Sequence, residues 1–90
     1  MGQFDYDYKN TWAHLAENGD AEAQFQLGLQ FATSEQDADL IAAHKWFNLA
    51  AVAGNEEARH ERALVAAEMT DAEIAEAQRE ARKWKDSRLN

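Results

Sequence analysis

A short phrase occurs twice in this 90-residue chain, 35 positions apart. Gly19 is followed by Asp20 and then Ala-Glu-Ala, and Gly54 is followed by Asn55 and then Glu-Glu-Ala. In each copy the glycine suits the end of one helix, and the Asp or Asn suits the N-cap of the next. Self-similarity at this period is typical of helical-repeat proteins, in which stacked helix pairs bury one another's apolar faces. The phrase therefore predicts an all-α chain.

Composition supports the same prediction. The chain has 19 alanines, no proline and only four glycines, which favours helices over a many-stranded sheet. The absence of cysteine excludes disulfides and thiolate metal sites. No apolar run approaches the roughly 20 residues that span a bilayer, and no basic-then-apolar leader opens the chain. We therefore expect a cytoplasmic protein with no membrane partner.

The formal charge of -8 is unevenly distributed. Residues 1–78 hold fifteen acidic against four basic side chains, a balance of -11, whereas residues 79–90 have a balance of +3. An acidic body repels phosphate backbones, so we expect no nucleic-acid partner. The basic end either complements the dipole of a last helix or forms a contact patch.

Periodicity and capping residues predict five antiparallel helices. The first extends from about residue 5 to 18, with Met1–Lys9 as an extended lead-in or as its first turn. The others cover about 21–32, from a cap at Asp37 or Asp39 to about 53, 56–68, and from Thr70 to about 86 or 87. Thr70 and Glu73 have the spacing of a capping box.

Several side chains are candidates for the core. Trp46 lies at helical spacing with alanines and is predicted to be buried, whereas Phe47 could be buried or exposed. Gly28 inside a helix indicates a close helix approach, so we expect Gly28→Leu to overpack and Gly28→Ala to be mild. In the last helix Ile74, Ala77, Ala81 and Trp84 should face inward, with Glu76 and Glu80 among the outward charges. This helix should shield the one before it.

Three segments together resemble the Sel-one-like repeat (SLR), a relative of the tetratricopeptide repeat: Ala21–Gly28 (AEAQFQLG), Ala43–Ala51 (AHKWFNLAA) and Gly54–Ala58 (GNEEA). The family's first helix reads Ala-x-Ala-x-x-x-Leu-Gly, and its second reads Ala-x-x-Trp-aromatic-x-x-Ala-Ala-x-x-Gly. The resemblance implies a short right-handed α/α solenoid serving as a non-catalytic adaptor or regulator, of a kind common in bacteria.

The resemblance also implies how one domain over residues 1–90 is organised. One full repeat covers about 21–54, degenerate halves lie before and after it, and a capping helix covers about 71–87. In such a solenoid the first helix of each pair lines the concave side. The candidate partner-binding residues are Phe25, Gln26, Leu29, Gln30, His60, Glu61 and Leu64. Their mixture of apolar, amide and acidic groups suits a peptide or amphipathic helix that carries Lys or Arg.

Two other readings stay open. The spacing of Glu57 and His60 occurs in carboxylate-bridged metal bundles, so a small helical enzyme with a metal site is one alternative. However, Leu64 occupies the second histidine position of a zinc motif, and we expect His14, His44 and His60 to face solvent or a groove. No nucleophile motif or phosphate loop is present, so no catalytic residue, metal or cofactor is predicted. The other alternative is a self-associating structural unit, that is, a homo-oligomer.

Overall fold

The computed structural model describes residues 12–35 and 38–88 of the chain. These residues form helices and turns, with no strand among them, which confirms the all-α prediction. Helix α1 is described over residues 12–17. It is followed by α2 (Ala21–Thr33), α3 (Leu40–Val52), α4 (Glu56–Ala66) and α5 (Asp71–Arg88). The Met1–Lys9 segment and the alternative cap Asp37 lie outside the described residues.

The repeated phrase forms the same hydrogen-bonded turn twice. Gly19 and Gly54 have φ values of 95° and 109°, a left-handed conformation that glycine adopts without steric cost. In the first copy the Gly19 amide donates to the Ala16 carbonyl at 3.1 Å, and the Asp20 amide donates to the Leu15 carbonyl at 3.0 Å. This is a Schellman motif. The second copy repeats it residue for residue, with donation from Gly54 to Ala51 and from Asn55 to Ala50.

Each predicted N-cap that can be described is confirmed. The carboxylate of Asp20 accepts from the Ala23 amide at 2.8 Å, and the Asn55 amide oxygen accepts from the Ala58 amide at 2.9 Å. Asp39 caps α3. At α5, the Thr70 amide donates to the Glu73 carboxylate and the Glu73 amide donates to the Thr70 hydroxyl, which completes the capping box.

Helix α3 is the centre of the packing. Helices α2, α4 and α5 all pack along α3, whereas α4 and α5 are not packed along each other in the described part of the chain. This corrects the expectation that α5 shields α4. The turn at 67–70, which replaces the expected last residues of α4, leads the chain from α4 to a different side of α3.

Two apolar clusters lie on opposite sides of α3. The Trp46 cluster joins α1, α2, α3 and α5, and its buried members are Ala16, Ala23, Leu27, Trp46, Leu49 and Ala81. The Phe47 cluster joins α2, α3 and α4, and its buried members are Phe25, Ala43, Phe47, Ala50, Ala58 and Val65. The predicted burial of Trp46 is confirmed, with 4% of its surface exposed, and Phe47 proves to be completely buried.

Gly28 marks the closest helix approach in the Phe47 cluster. A Cβ atom at this position would lie 2.6 Å from two ring carbons of Phe47. The ring is fully enclosed and cannot swing away, so even one methyl group meets a steric clash. The prediction of a close approach is confirmed, but the expectation that Gly28→Ala would be mild is wrong.

The first and last helices of the described chain are joined. The indole Nε1 of Trp84 in α5 donates to the Glu17 carboxylate at 2.9 Å, and the Arg88 guanidinium donates to the Glu17 backbone carbonyl. In a long solenoid each repeat contacts only its neighbours, so the ends stay apart. Here the contact between α1 and α5 closes the Trp46 cluster from the side opposite to α2.

Candidate protein-interaction surfaces

The α2 part of the predicted binding row is only partly accessible. Phe25 is 8% exposed, and its ring centroid lies 5.9 Å from that of Phe47, so it belongs to the core. Leu29 is half-buried against the same cluster. The half-buried Gln26 donates from Nε2 to the Glu22 carboxylate at 2.9 Å, and Gln30 is exposed. The surface of α2 is therefore mainly polar.

The α4 part of the row is more open. Only Ala58 and Val65 are buried in this helix, so α4 is an edge helix of the structure. His60 is exposed, Glu61 is half-buried, and Leu64 exposes 52% of its surface. An apolar side chain of this size with half its surface in water, beside an imidazole and a carboxylate, is a plausible anchor for a partner.

The two parts of the row meet around one aromatic ring. Phe25 of α2 and Ala58 and Val65 of α4 belong to the Phe47 cluster, but α2 and α4 are not packed along each other over the described residues. The accessible side chains of the row thus flank α3 on two separate helices. Their role in binding stays a prediction.

His44 corrects the expectation that all three histidines face solvent or a groove. His14 and His60 are exposed, but His44 is only 4% exposed, and its Nδ1 atom has no hydrogen-bond partner in the protein. Burial lowers the pKa of His44, and the positive charge of Arg62 lowers it further. His44 is therefore neutral at neutral pH and acts as part of the α3–α4 interface. No group of three His, Asp or Glu side chains suited to a metal ion occurs among the described residues.

Gln24 is a buried polar residue that the sequence reasoning missed. It is 1% exposed, and its Nε2 donates to the Ala16 carbonyl at 3.1 Å, which ties α2 to the last turn of α1. The Gln24 Oε1 atom is buried without a protein partner. Its position between Ala23 and Phe25, two core residues on different sides of α2, was the available signal. Side chains between two buried faces of one helix are commonly enclosed themselves.

Two shallow cavities lie beside α3, on the side away from α2. A cavity of about 320 Å³ between α3 and α5 is lined by Asp39, Ile41, Ala42, Lys45, Glu76 and Glu80. A cavity of about 240 Å³ between α3 and α4 is lined by Ala51, Val52, Asn55, Glu56, Arg59 and Arg62. Glu76 and Glu80, predicted to face outward, are half-buried at the first cavity.

Polar contacts and one exposed apolar side chain define the second cavity further. Arg62 donates to the Asn48 amide oxygen at 2.6 Å, which connects α4 to the middle of α3. Val52 exposes 63% of its surface, the largest exposed fraction among the large apolar residues described. The combination of two arginines with an exposed valine suits a partner that presents a carboxylate beside an apolar group.

Comparison of the chain with family models, curated proteins and solved structures finds no match. Among the described helices, none is both long enough and apolar enough to cross a membrane. The resemblance to Sel-one-like repeats accordingly depends on the residues quoted for it.

Proposed function

We propose that this chain is a non-catalytic protein-interaction module, a short SLR-like helical repeat acting as a cytoplasmic adaptor or regulator. Its partner is a basic peptide or an amphipathic helix carrying Lys or Arg. The observation that carries the proposal is the open flank of α4. Leu64 is half-exposed there beside His60 and Glu61, and α5, the next helix in the chain, packs elsewhere.

The helix packing also supports an SLR-like unit. The segment that resembles one full repeat, about 21–54, covers α2, α3 and the glycine turn that follows. These two helices pack along each other as the members of a pair, and α4 then packs on α3 as the first helix of the next pair does in a right-handed solenoid. The resulting array is short, and the contact between α1 and α5 closes it at one side.

Charge favours a basic partner. The formal charge of the whole chain is -8, and most of the acidic side chains precede residue 79. Such a field speeds the encounter with a cationic segment and makes the association sensitive to salt. Phe25 contributes to this site only by supporting Leu29 from the core, since its own ring is enclosed.

The test compares two exposed glutamines that lie on different helices. Gln30→Arg adds a positive charge to the predicted row, and Gln78→Arg adds the same charge to α5, outside the row. A partner would first be obtained by affinity capture with the wild-type chain and then titrated against each variant. Because like charges repel, Gln30→Arg should weaken binding about tenfold. Gln78→Arg should change the affinity by much less.

A third variant tests the apolar anchor. Leu64→Ser removes apolar contact area from a side chain that is already half in water, so the fold should tolerate it. It should weaken binding without lowering the thermal midpoint by more than a few degrees. Equal losses for Gln30→Arg and Gln78→Arg, with no effect of Leu64→Ser, would contradict a binding site on this row.

A further inference from the structure

One side of α3 lies open between two helices that do not cover it. Four residues at helical spacing form a single stripe along this side, which we call the outer stripe: Ile41, Lys45, Asn48 and Val52. Helix α4 flanks the stripe on one side and α5 on the other, and these two helices are not packed along each other. The first three residues of the stripe are half-buried, and Val52 is largely exposed.

The two cavities lie at diagonally opposite corners of this open side. The cavity with Arg59 and Arg62 lies at the carboxyl end of α3, on the α4 side. The cavity with Glu76 and Glu80 lies at the amino end of α3, on the α5 side. One corner is therefore cationic and the other anionic, and the middle of the outer stripe separates them.

A diagonal arrangement of this kind is complementary to itself. A two-fold axis perpendicular to the surface, through the middle of the outer stripe, exchanges the two ends of α3 and also exchanges the α4 and α5 sides. The cationic corner of one copy then faces the anionic corner of the other, twice in the same interface. We propose that the outer stripe and its two corners form an isologous homodimer interface, with a second copy of this chain as the occupant.

The apolar side chains agree with the same axis. Val52 projects at the cationic corner, and the rotation brings it over the other copy's anionic corner, whose cavity is lined by Ile41 and Ala42. An exposed valine thereby acquires an apolar cavity to enter. The volume of about 320 Å³ is large enough to receive such a side chain.

The charges around each corner affect the strength of this dimer but not its geometry. Glu76 is paired with Arg79, and Glu80 lies 3.5 Å from Lys83, so each carboxylate is partly neutralised on its own helix. The net charge of -8 also makes two copies repel each other at long range. We therefore expect a weak, reversible dimer with a small interface. This interface does not depend on the proposed function, because Arg59 and Leu64 lie on different flanks of α4.

The first experiment measures the mass of the full chain by sedimentation equilibrium over a wide concentration range. Wild type should change reversibly from monomer to dimer. Val52→Glu places a charge at the centre of each Val52 contact and should raise the dimer dissociation constant by at least about tenfold. The matched control is Leu64→Glu, which adds the same charge at another exposed apolar residue and should leave that constant within about twofold.

The second experiment reverses charges at the corners. Arg59→Glu puts an acidic group opposite Glu76 and Glu80 of the other copy and should raise the dissociation constant by at least about tenfold. The double variant Arg59→Glu/Glu80→Arg reverses both corners and should recover much of the loss. Far-ultraviolet circular dichroism and thermal melting should show that each variant is folded.

Three results would overturn the proposal. One is a wild-type chain that stays monomeric at the highest concentration. Another is a dimer that Leu64→Glu disrupts and Val52→Glu does not, which would place the contact on the α4 flank. The third is a double charge reversal that is as weak as Arg59→Glu alone, because the diagonal pairing of corners requires recovery.

Discussion

The two sides of α3 solve the same packing problem differently. The Phe47 cluster is built from α2, α3 and α4, which follow one another in the chain. The Trp46 cluster instead collects residues from α1 and α5, the first and last helices described. The aromatic ring at the centre of each cluster is buried, but the Trp46 side is bordered by the half-buried indoles of Trp12 and Trp84.

The difference shows where this fold is tight and where it has some tolerance. On the Phe47 side, a backbone glycine touches an enclosed ring and leaves no space for a methyl group. On the Trp46 side, the Trp84 ring contacts Trp46 edge-on at a centroid distance of 6.2 Å, and its indole nitrogen reaches a carboxylate at the surface. We expect the first side to resist added volume and the second to depend on the large side chain at its centre.

The largest expected effect is that of Trp46→Ala. Removing this buried indole leaves a cavity among alanines that are too small to fill it, which should cost about 3–5 kcal/mol of the free energy of unfolding. Urea unfolding followed by circular dichroism measures the loss. Trp84→Ala, which truncates a half-buried indole in the same cluster, should cost clearly less. Equal losses would show that the rim of the Trp46 cluster is as important as its centre.

A smaller effect is expected for Gly28→Ala. Alanine gains about 1 kcal/mol of helix propensity over glycine, but the clash with Phe47 should cost about 1–3 kcal/mol, which leaves a net loss of about 1 kcal/mol. Combining it with Phe47→Leu, which makes room for the methyl group, should give less destabilisation than the two single losses added together. Strict additivity would show that the new methyl group does not meet the ring.

The smallest expected effect is the dependence of stability on His44 protonation. Burial and Arg62 lower the pKa of His44 below its ordinary value of 6.5, so the unfolded chain takes up a proton at a higher pH than the folded chain. The imidazole is neutral in both states at higher pH and has no effect there. Stability should fall as the pH decreases below the ordinary value, and the loss should level off below the lowered pKa.

Unfolding in urea at about pH 7.5 and about pH 5.5 measures this dependence. His44→Gln should reduce the difference in stability between the two pH values. His60→Gln, at an exposed histidine, is the matched control and should retain the wild-type difference. If both substitutions have the same effect, the exposed histidines control the pH dependence and the burial of His44 does not.

The sequence was informative wherever structure depends on neighbouring residues. Helix ends are set by local hydrogen bonds, so Asp20, Asp39, Asn55 and the Thr70–Glu73 box could be predicted as caps. The glycine turns could be predicted for the same reason. The helix class and the burial of Trp46 also followed from composition and spacing.

The choice of packing partners could not be predicted in this way. Helix α3 is apolar almost all round, with His44, Lys45 and Asn48 as its polar members, so its periodicity does not indicate which helix covers which side. The same ambiguity concealed the burial of His44. In the candidate site, Phe25 and Leu64 are both apolar and occupy similar places in the two phrases. Only the different coverage of α2 and α4 separates a core residue from an exposed one.

The bond between Glu17 and Trp84 also affects the order in which this chain folds. It joins residues 67 positions apart, whereas α2, α3 and α4 pack as successive hairpins with short connections. Closing a long loop costs more chain entropy than closing a short one, by about 0.6 kcal/mol for each doubling of length. Contacts that are local in sequence also form faster. The three central helices therefore form the early folding unit, and α1 and α5 join around Trp46 in the last step and separate in the first step of unfolding.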